Sequence, residues 1–231
     1  MIKEYVAIDL ETTGLSAKED KIIEIGAIKV VDGKEQEIFE TFINPGRSIS
    51  EYITNVTGIN DAMVANAPYI DTQIGDLVDF VGNLPLLGHN LIFDYSFIKR
   101  AAVNKNLSFE KEGIDTLKLA RKYLPEVKSK KLDYLCEYFH IEDKNHHRAI
   151  NDARAAYLLY NVLCKEYGAY EDETTQLNYK SKKESPITLK QVAFLSSLVH
   201  KYKIQIDYDI EKLSKNEASR KIDRILGTYG R

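Results

Sequence analysis

The chain has 231 residues, which at about 100–200 residues per domain leaves room for one full domain and a smaller one. With 44% hydrophobic and 29% charged residues it can bury a core, which excludes disorder throughout, and no apolar run approaches the roughly 20 residues that cross a bilayer. The net charge of −3 divides unevenly: residues 180–231 carry 12 Lys+Arg against 6 Asp+Glu, so a basic tail follows an acidic body. Such a tail fits contact with a polyanion and also an ordinary solvated helical surface. Lys3, Glu4 and Asp9 within the first ten residues argue against a signal peptide, and a cytoplasmic protein is expected.

The first 43 residues predict three strands. Glu4–Leu10 contains the apolar run Tyr5-Val6-Ala7-Ile8, short enough for a buried central strand. Ile22–Val31 and Glu35–Ile43 flank Asp32-Gly33, a strong hairpin signal, so the sheet is expected to open as an antiparallel β-β-β unit. Asn44-Pro45-Gly46 breaks the third strand. Helical patterns then cover Glu51–Val56, Asp61–Ala65, Asp71–Val81, Phe93–Val103, Asp115–Tyr123, Leu132–Phe139 and Asp152–Tyr167, with a short strand at Pro85–Gly88. Cys136 and Cys164 fall inside these helical patterns and read as core residues, not as a disulfide or a metal pair. Residues 169–187 show no apolar periodicity and read as a linker. Beyond them Thr188-Leu-Lys-Gln191 and Ser214-Lys-Asn-Glu217 are capping boxes, each opening a short amphipathic helix. The expected organisation is therefore a domain over 1–168, a linker over 169–187 and a small helical module over 188–231.

The chemistry gathers in four segments. Asp9-Leu10-Glu11 closes the first strand, and residues two apart on a strand share a face. Two carboxylates so placed repel, and a divalent cation offsets that well. The alternative, two solvent-facing acids on an edge strand, fits poorly with the buried run before them. His89 to Asp94 runs from a strand into a helix, putting Asp94 in a first turn, where a helix dipole favours an anion. His147-Arg148-Ala149-Ile150-Asn151-Asp152-Ala153 sets a histidine ahead of a helix that opens with Asp152. Read alone, either of the last two segments is an ordinary capping acid.

Together the segments resemble the DEDDh, or DnaQ-like, 3′→5′ exonucleases of the ribonuclease H-like fold. The family's Asp-x-Glu-Thr-Thr-Gly stands as Asp9 to Gly14, its His-Asn-x-x-Phe-Asp as His89 to Asp94, and its His-x-Ala-x-x-Asp-Ala as His147 to Ala153. Order, spacing and strand or helix context agree over about residues 3–167, and the look is that of the epsilon-like proofreading exonucleases of bacterial DNA polymerase III. The resemblance implies an α/β fold, a mixed sheet flanked by helices. It implies that Asp9, Glu11, Asp94 and Asp152 hold two divalent cations, Mg²⁺ or Mn²⁺, with His147 as general base. His146 adjoins it, but the family spacing of four residues between His and Asp is met only by His147. Thr12, Thr13, Gly14, Leu15 and Asn90 are the implied substrate-binding residues, with Leu15 as a wedge on the last base and His89 as a brace.

The expected activity is 3′→5′ hydrolysis of DNA from single-stranded or frayed ends by a monomer, in the company of a DNA polymerase or another replication or repair protein. RNA is the alternative substrate, because the catalytic set does not read the 2′-hydroxyl. A non-catalytic docking module is the alternative of another class, disfavoured by the intact Asp9, Glu11, Asp94, His147 and Asp152.

Overall fold

Strand β1 (Tyr5–Thr12) lies at the middle of a six-stranded sheet. The computed structural model describes residues 2–141, 148–169 and 174–230. Strands β2 (Ile22–Val31) and β3 (Lys34–Phe42) complete the expected antiparallel opening. Asp32 and Gly33 both take positive φ, 52° and 72°, the backbone twist that a two-residue hairpin needs.

Helices α1 (Glu51–Thr57), α2 (Asp61–Val64) and α3 (Ile70–Val81) lead to β4 (Leu86–Gly88), which pairs parallel to β1. Helix α4 (Ile92–Asn104) crosses over to β5 (Glu112–Asp115), parallel to β4. Helices α5 (Thr116–Tyr123), α6 (Leu132–Tyr138) and α7 (Ala149–Tyr167) follow, and β6 (Thr175–Gln176) closes the edge antiparallel to β5. The order is β3-β2-β1-β4-β5-β6, the mixed sheet flanked by helices that was expected.

Alternation along β1 feeds two cores. Val6, Ile8 and Leu10 pack with Ile74, Leu77 and Val81 of α3 and with Tyr95 and Ile98 of α4. Tyr5 and Ala7 pack on the other face with Ile150, Tyr157, Leu159, Tyr160 and Leu163 of α7. Asp9 and Glu11 continue the α7 face by the same alternation. Cys136 and Cys164 are buried and are not joined in a disulfide.

Three local differences from the sequence reading have physical causes. Strand β5 escaped notice because Glu112-Gly113-Ile114-Asp115 has one apolar side chain. A Cβ at Gly113 would stand 2.4 Å from Leu91 Cδ2, so close packing keeps the position bare. The stretch read as a linker carries β6, after which Leu177 is buried in the core. Helix α7 starts at Ala149, three residues before Asp152, so Asp152 does not open it.

The chain divides into two compact units, one of residues 1–45 and 49–181, the other of 46–48 and 182–231. In the second, α8 (Leu189–Lys201) and α9 (Lys215–Tyr229) both begin with complete capping boxes, at Thr188 and Ser214. Leu195, Leu198, Leu213, Ala218, Ile222 and Ile225 form its core. Among the described residues no helix is long and apolar enough to cross a membrane.

Candidate active site

The last residues of β1 carry the charge. Strand β1 runs through Glu11 and Thr12, so both carboxylates are held by ladder pairing, Asp9 opposite Gly26 and Glu11 opposite Glu24. Asp152 stands in the first turn of α7. Asp9, Glu11 and Asp152 each offer a carboxylate oxygen within 4.8 Å of the others. All three keep part of their surface open, although Asp9 is also densely surrounded by protein atoms. Asp94, in the first turn of α4, is buried, and its Oδ1 accepts the Leu10 N–H at 3.0 Å. It lies outside the tight trio but close enough to act on its charges.

These groups push one another's proton affinities up. Burial first, then Asp94, Asp152, Glu11 and Glu24, hold Asp9 well above the usual carboxylate range. Burial, then Asp152, Glu24 and Asp94, push Glu11 up to about 8. Burial pushes Asp94 up to about 8, against the opposing pull of its backbone hydrogen bonds. A fold that crowds like charges in this way gains from a cation. The oxygen-only donor set fits a hard divalent one, the residues present therefore fit the metal chemistry, and exposed edges leave it a way in.

The neighbouring loops are braced. His89 Nε2 donates to the Lys130 carbonyl at 2.7 Å and Nδ1 meets Thr116 Oγ1 at 2.9 Å, so both ring nitrogens are engaged and burial lowers the imidazole's pKa. Asn90 is exposed in the left-handed region, φ 68°, where asparagine is tolerated, and its N–H donates to Asp115 Oδ1 at 3.0 Å. Asp115 also caps α5 through the Leu117 N–H. Thr12 Oγ1 donates to the Gly14 carbonyl at 2.7 Å, and Thr13 exchanges hydrogen bonds with Lys21. A Cβ at Gly14 would stand 2.5 Å from Asp20 Oδ2, so a side chain there would displace the carboxylate that accepts the Ser16 N–H. Leu15 is 88% exposed. His146 and His147 lie outside the described residues.

One contributor escaped the sequence reading. Glu24 sits in the middle of an apolar strand and is 1% exposed, yet its carboxylate reaches Arg148 and the Ala149 N–H at the start of α7. The signal was available, as a lone charge inside Ile22-Ile23-Glu24-Ile25.

The family model described as RNase_T, Exonuclease, matches residues 6–160. The chain belongs to the DEDDh, DnaQ-like family of 3′→5′ exonucleases. The chain is 45% identical over 152 residues to the PolC-type DNA polymerase III of Caldanaerobacter subterraneus subsp. tengcongensis, covering 66% of the chain and 11% of that protein. It is 44% identical over 179 residues to the PolC-type enzyme of Bacillus subtilis, covering 74% and 12%. It thus spans about a tenth of the length of these relatives. Exonuclease X in complex with 5′-overhanging duplex DNA is similar with a TM-score of 0.54 and 28% identity, over 72% of this chain and 95% of that one. Escherichia coli exonuclease I with a dT13 oligonucleotide shares the fold, with a TM-score of 0.65 at 18% identity, over 73% and 42%.

Proposed function

We propose that this exonuclease-family chain removes nucleotides from the 3′ end of DNA in a metal-dependent reaction, with single-stranded or frayed ends preferred. The observation that carries the reading is the meeting of Asp9 and Glu11 from β1 with Asp152 from α7, beside buried Asp94. Asp9, Glu11, Asp94 and Asp152 are the residues that would hold two divalent cations, Mg²⁺ or Mn²⁺, their four negative charges balancing the four positive ones. Bound there, such ions supply Lewis-acid activation of water and stabilise charge on the leaving 3′-oxygen.

The chain's own groups do the rest. His147 directly precedes Arg148, the N-cap of α7, and takes the proton from the attacking water. An imidazole with an unperturbed pKa near 6.5 is matched to that task. Backbone groups at Thr12 and Thr13 meet the terminal 3′-hydroxyl, with Gly14 completing the turn. Exposed Leu15 wedges against the last base, and exposed Asn90 contacts the terminal nucleotide. Exonuclease X and exonuclease I are both described with DNA, and the PolC-type relatives are DNA polymerases. These support DNA as substrate and a polymerase, or another replication or repair protein, as partner.

The test is a degradation time course with 5′-labelled single-stranded DNA and RNA of one sequence, in Mg²⁺, Mn²⁺ and EDTA, beside Asp152→Ala. The expected result is a DNA ladder shortening from the 3′ end, absent in EDTA and in the variant. Faster loss of RNA would overturn the substrate. No cleavage of either by folded, metal-bound protein would overturn the activity and leave a docking module.

A further inference from the structure

The tight carboxylate trio has two members on one strand and a third on a helix, so its geometry depends on how α7 is seated. Two residues of β2 do the seating. Gly26 is the ladder partner of Asp9, and a Cβ there would stand 2.2 Å from the Ile150 nitrogen and 2.3 Å from the Ala149 carbonyl carbon. Backbone therefore packs on backbone, two residues ahead of Asp152, and no side chain fits between. Glu24 is the ladder partner of Glu11 and, two residues from Gly26, shares its face.

Among the described residues, Arg148, the N-cap residue of α7, makes no side-chain capping bond. Glu24 caps it from the strand. Oε2 accepts the Ala149 N–H at 3.1 Å, one of the first-turn donors a helix leaves unpaired. Oε1 accepts Arg148 Nε at 2.8 Å and lies 2.7 Å from Nη2. The same guanidinium reaches Glu40 at 3.2 Å and covers the Phe42 ring at 5.0 Å, both on β3. Each β1 carboxylate is thus paired, in register, with a β2 residue that grips the start of the helix bearing the third.

We propose that Glu24 is the positioning residue of this site: with Gly26 it seats the first turn of α7 on β2 and so sets where Asp152 stands relative to Asp9 and Glu11. The proposal rests on the carboxylate site being the metal site of the exonuclease reading. It is tested on the full chain by calorimetric Mn²⁺ titration without nucleic acid, with thermal unfolding in EDTA alongside. Groups that orient metal ligands typically cost about 10–100-fold in affinity when changed, and Glu24→Gln is expected to weaken Mn²⁺ binding by that amount. In an Asp152→Asn background the same change is expected to cost less than about twofold, because the ligand it positions is gone.

Wild-type affinity in Glu24→Gln overturns the proposal, including where the unfolding temperature falls. Equal weakening in both backgrounds also overturns it, since Glu24 would then act on the ions by its charge. Should Glu24→Gln not fold, Arg148→Met changes a half-exposed partner, and unchanged Mn²⁺ affinity there overturns the proposal. Binding is read apart from cleavage: a wild-type chain that binds Mn²⁺ but degrades nothing contradicts the activity and not the positioning role.

Discussion

The end of β1 and the small helical unit at 182–231 treat charge in opposite ways. In the helical unit local rules agree with one another. Capping boxes at Thr188 and Ser214 satisfy the helix starts, an apolar stripe forms the core, and His200 and Lys201 sit in the last turn of α8, where a helix dipole favours cations. At the end of β1 the rules conflict. Asp9, Glu11 and Asp152 crowd together beside buried Asp94, and each group that shifts moves away from its charged form. Consistency across levels is what specifies a fold, and departures from it collect where a site does chemistry. The contrast therefore separates a unit in which local rules agree from a strand end in which like charges are crowded.

The sharpest break is removal of one charge from the conflicted end. Asp9→Ala or Asp152→Ala is expected to abolish 3′-end cleavage while the chain stays folded, and to raise the unfolding temperature in EDTA by relieving repulsion. Full cleavage in either variant would sink the site. Next in size is His147→Ala, expected to slow cleavage by about 10²–10⁴-fold and to keep Mn²⁺ affinity, as read by single-turnover rates beside a titration. Loss of Mn²⁺ binding in that variant would make His147 a ligand and not a base.

Proton linkage gives the third. Glu11 and Asp94 have folded pKa values near 8, above their ordinary 4.5 and 3.8. A raised folded value means that the fold favours the protonated form. Its stabilising contribution is full below the ordinary pKa and is lost as pH climbs through about 8. Metal-free unfolding temperatures should therefore decline from pH 5 to 8, with saturating Mn²⁺ reversing the decline, because the ion takes the place of the protons. A flat profile in EDTA would contradict the crowding. The smallest effect is on the other side of the contrast. Ser214→Ala should cost the helical unit about 0.5–2 kcal/mol, seen as faster amide exchange in α9, with cleavage of short oligonucleotides unchanged.

What could be read from sequence follows the same division. The hairpin at Asp32-Gly33, the two capping boxes and the short apolar run Tyr5–Ile8 are local signals, and the structure holds each of them. The four carboxylates stood out as a pattern of motifs, and three of them meet within 4.8 Å. What escaped is set by distant contacts. Strand β5 is held by pairing to β4, with Gly113 against Leu91 and Leu177, and β6 is a two-residue edge ahead of that same buried leucine. The start of α7 depends on Glu24, a residue of β2 that no local rule connects to Ala149. Asp152 could be named from its motif, but its distance from Asp9 is a property of the assembled sheet.

The most direct measurement is anomalous diffraction from crystals grown with Mn²⁺ and a dT oligonucleotide carrying a hydrolysis-resistant 3′ phosphorothioate linkage. The account predicts two manganese peaks about 3.5–4 Å apart, ligated by Asp9, Glu11, Asp94 and Asp152 at the 3′ end of the strand. Manganese absent from this cluster, with the oligonucleotide ordered elsewhere on the chain, would contradict it.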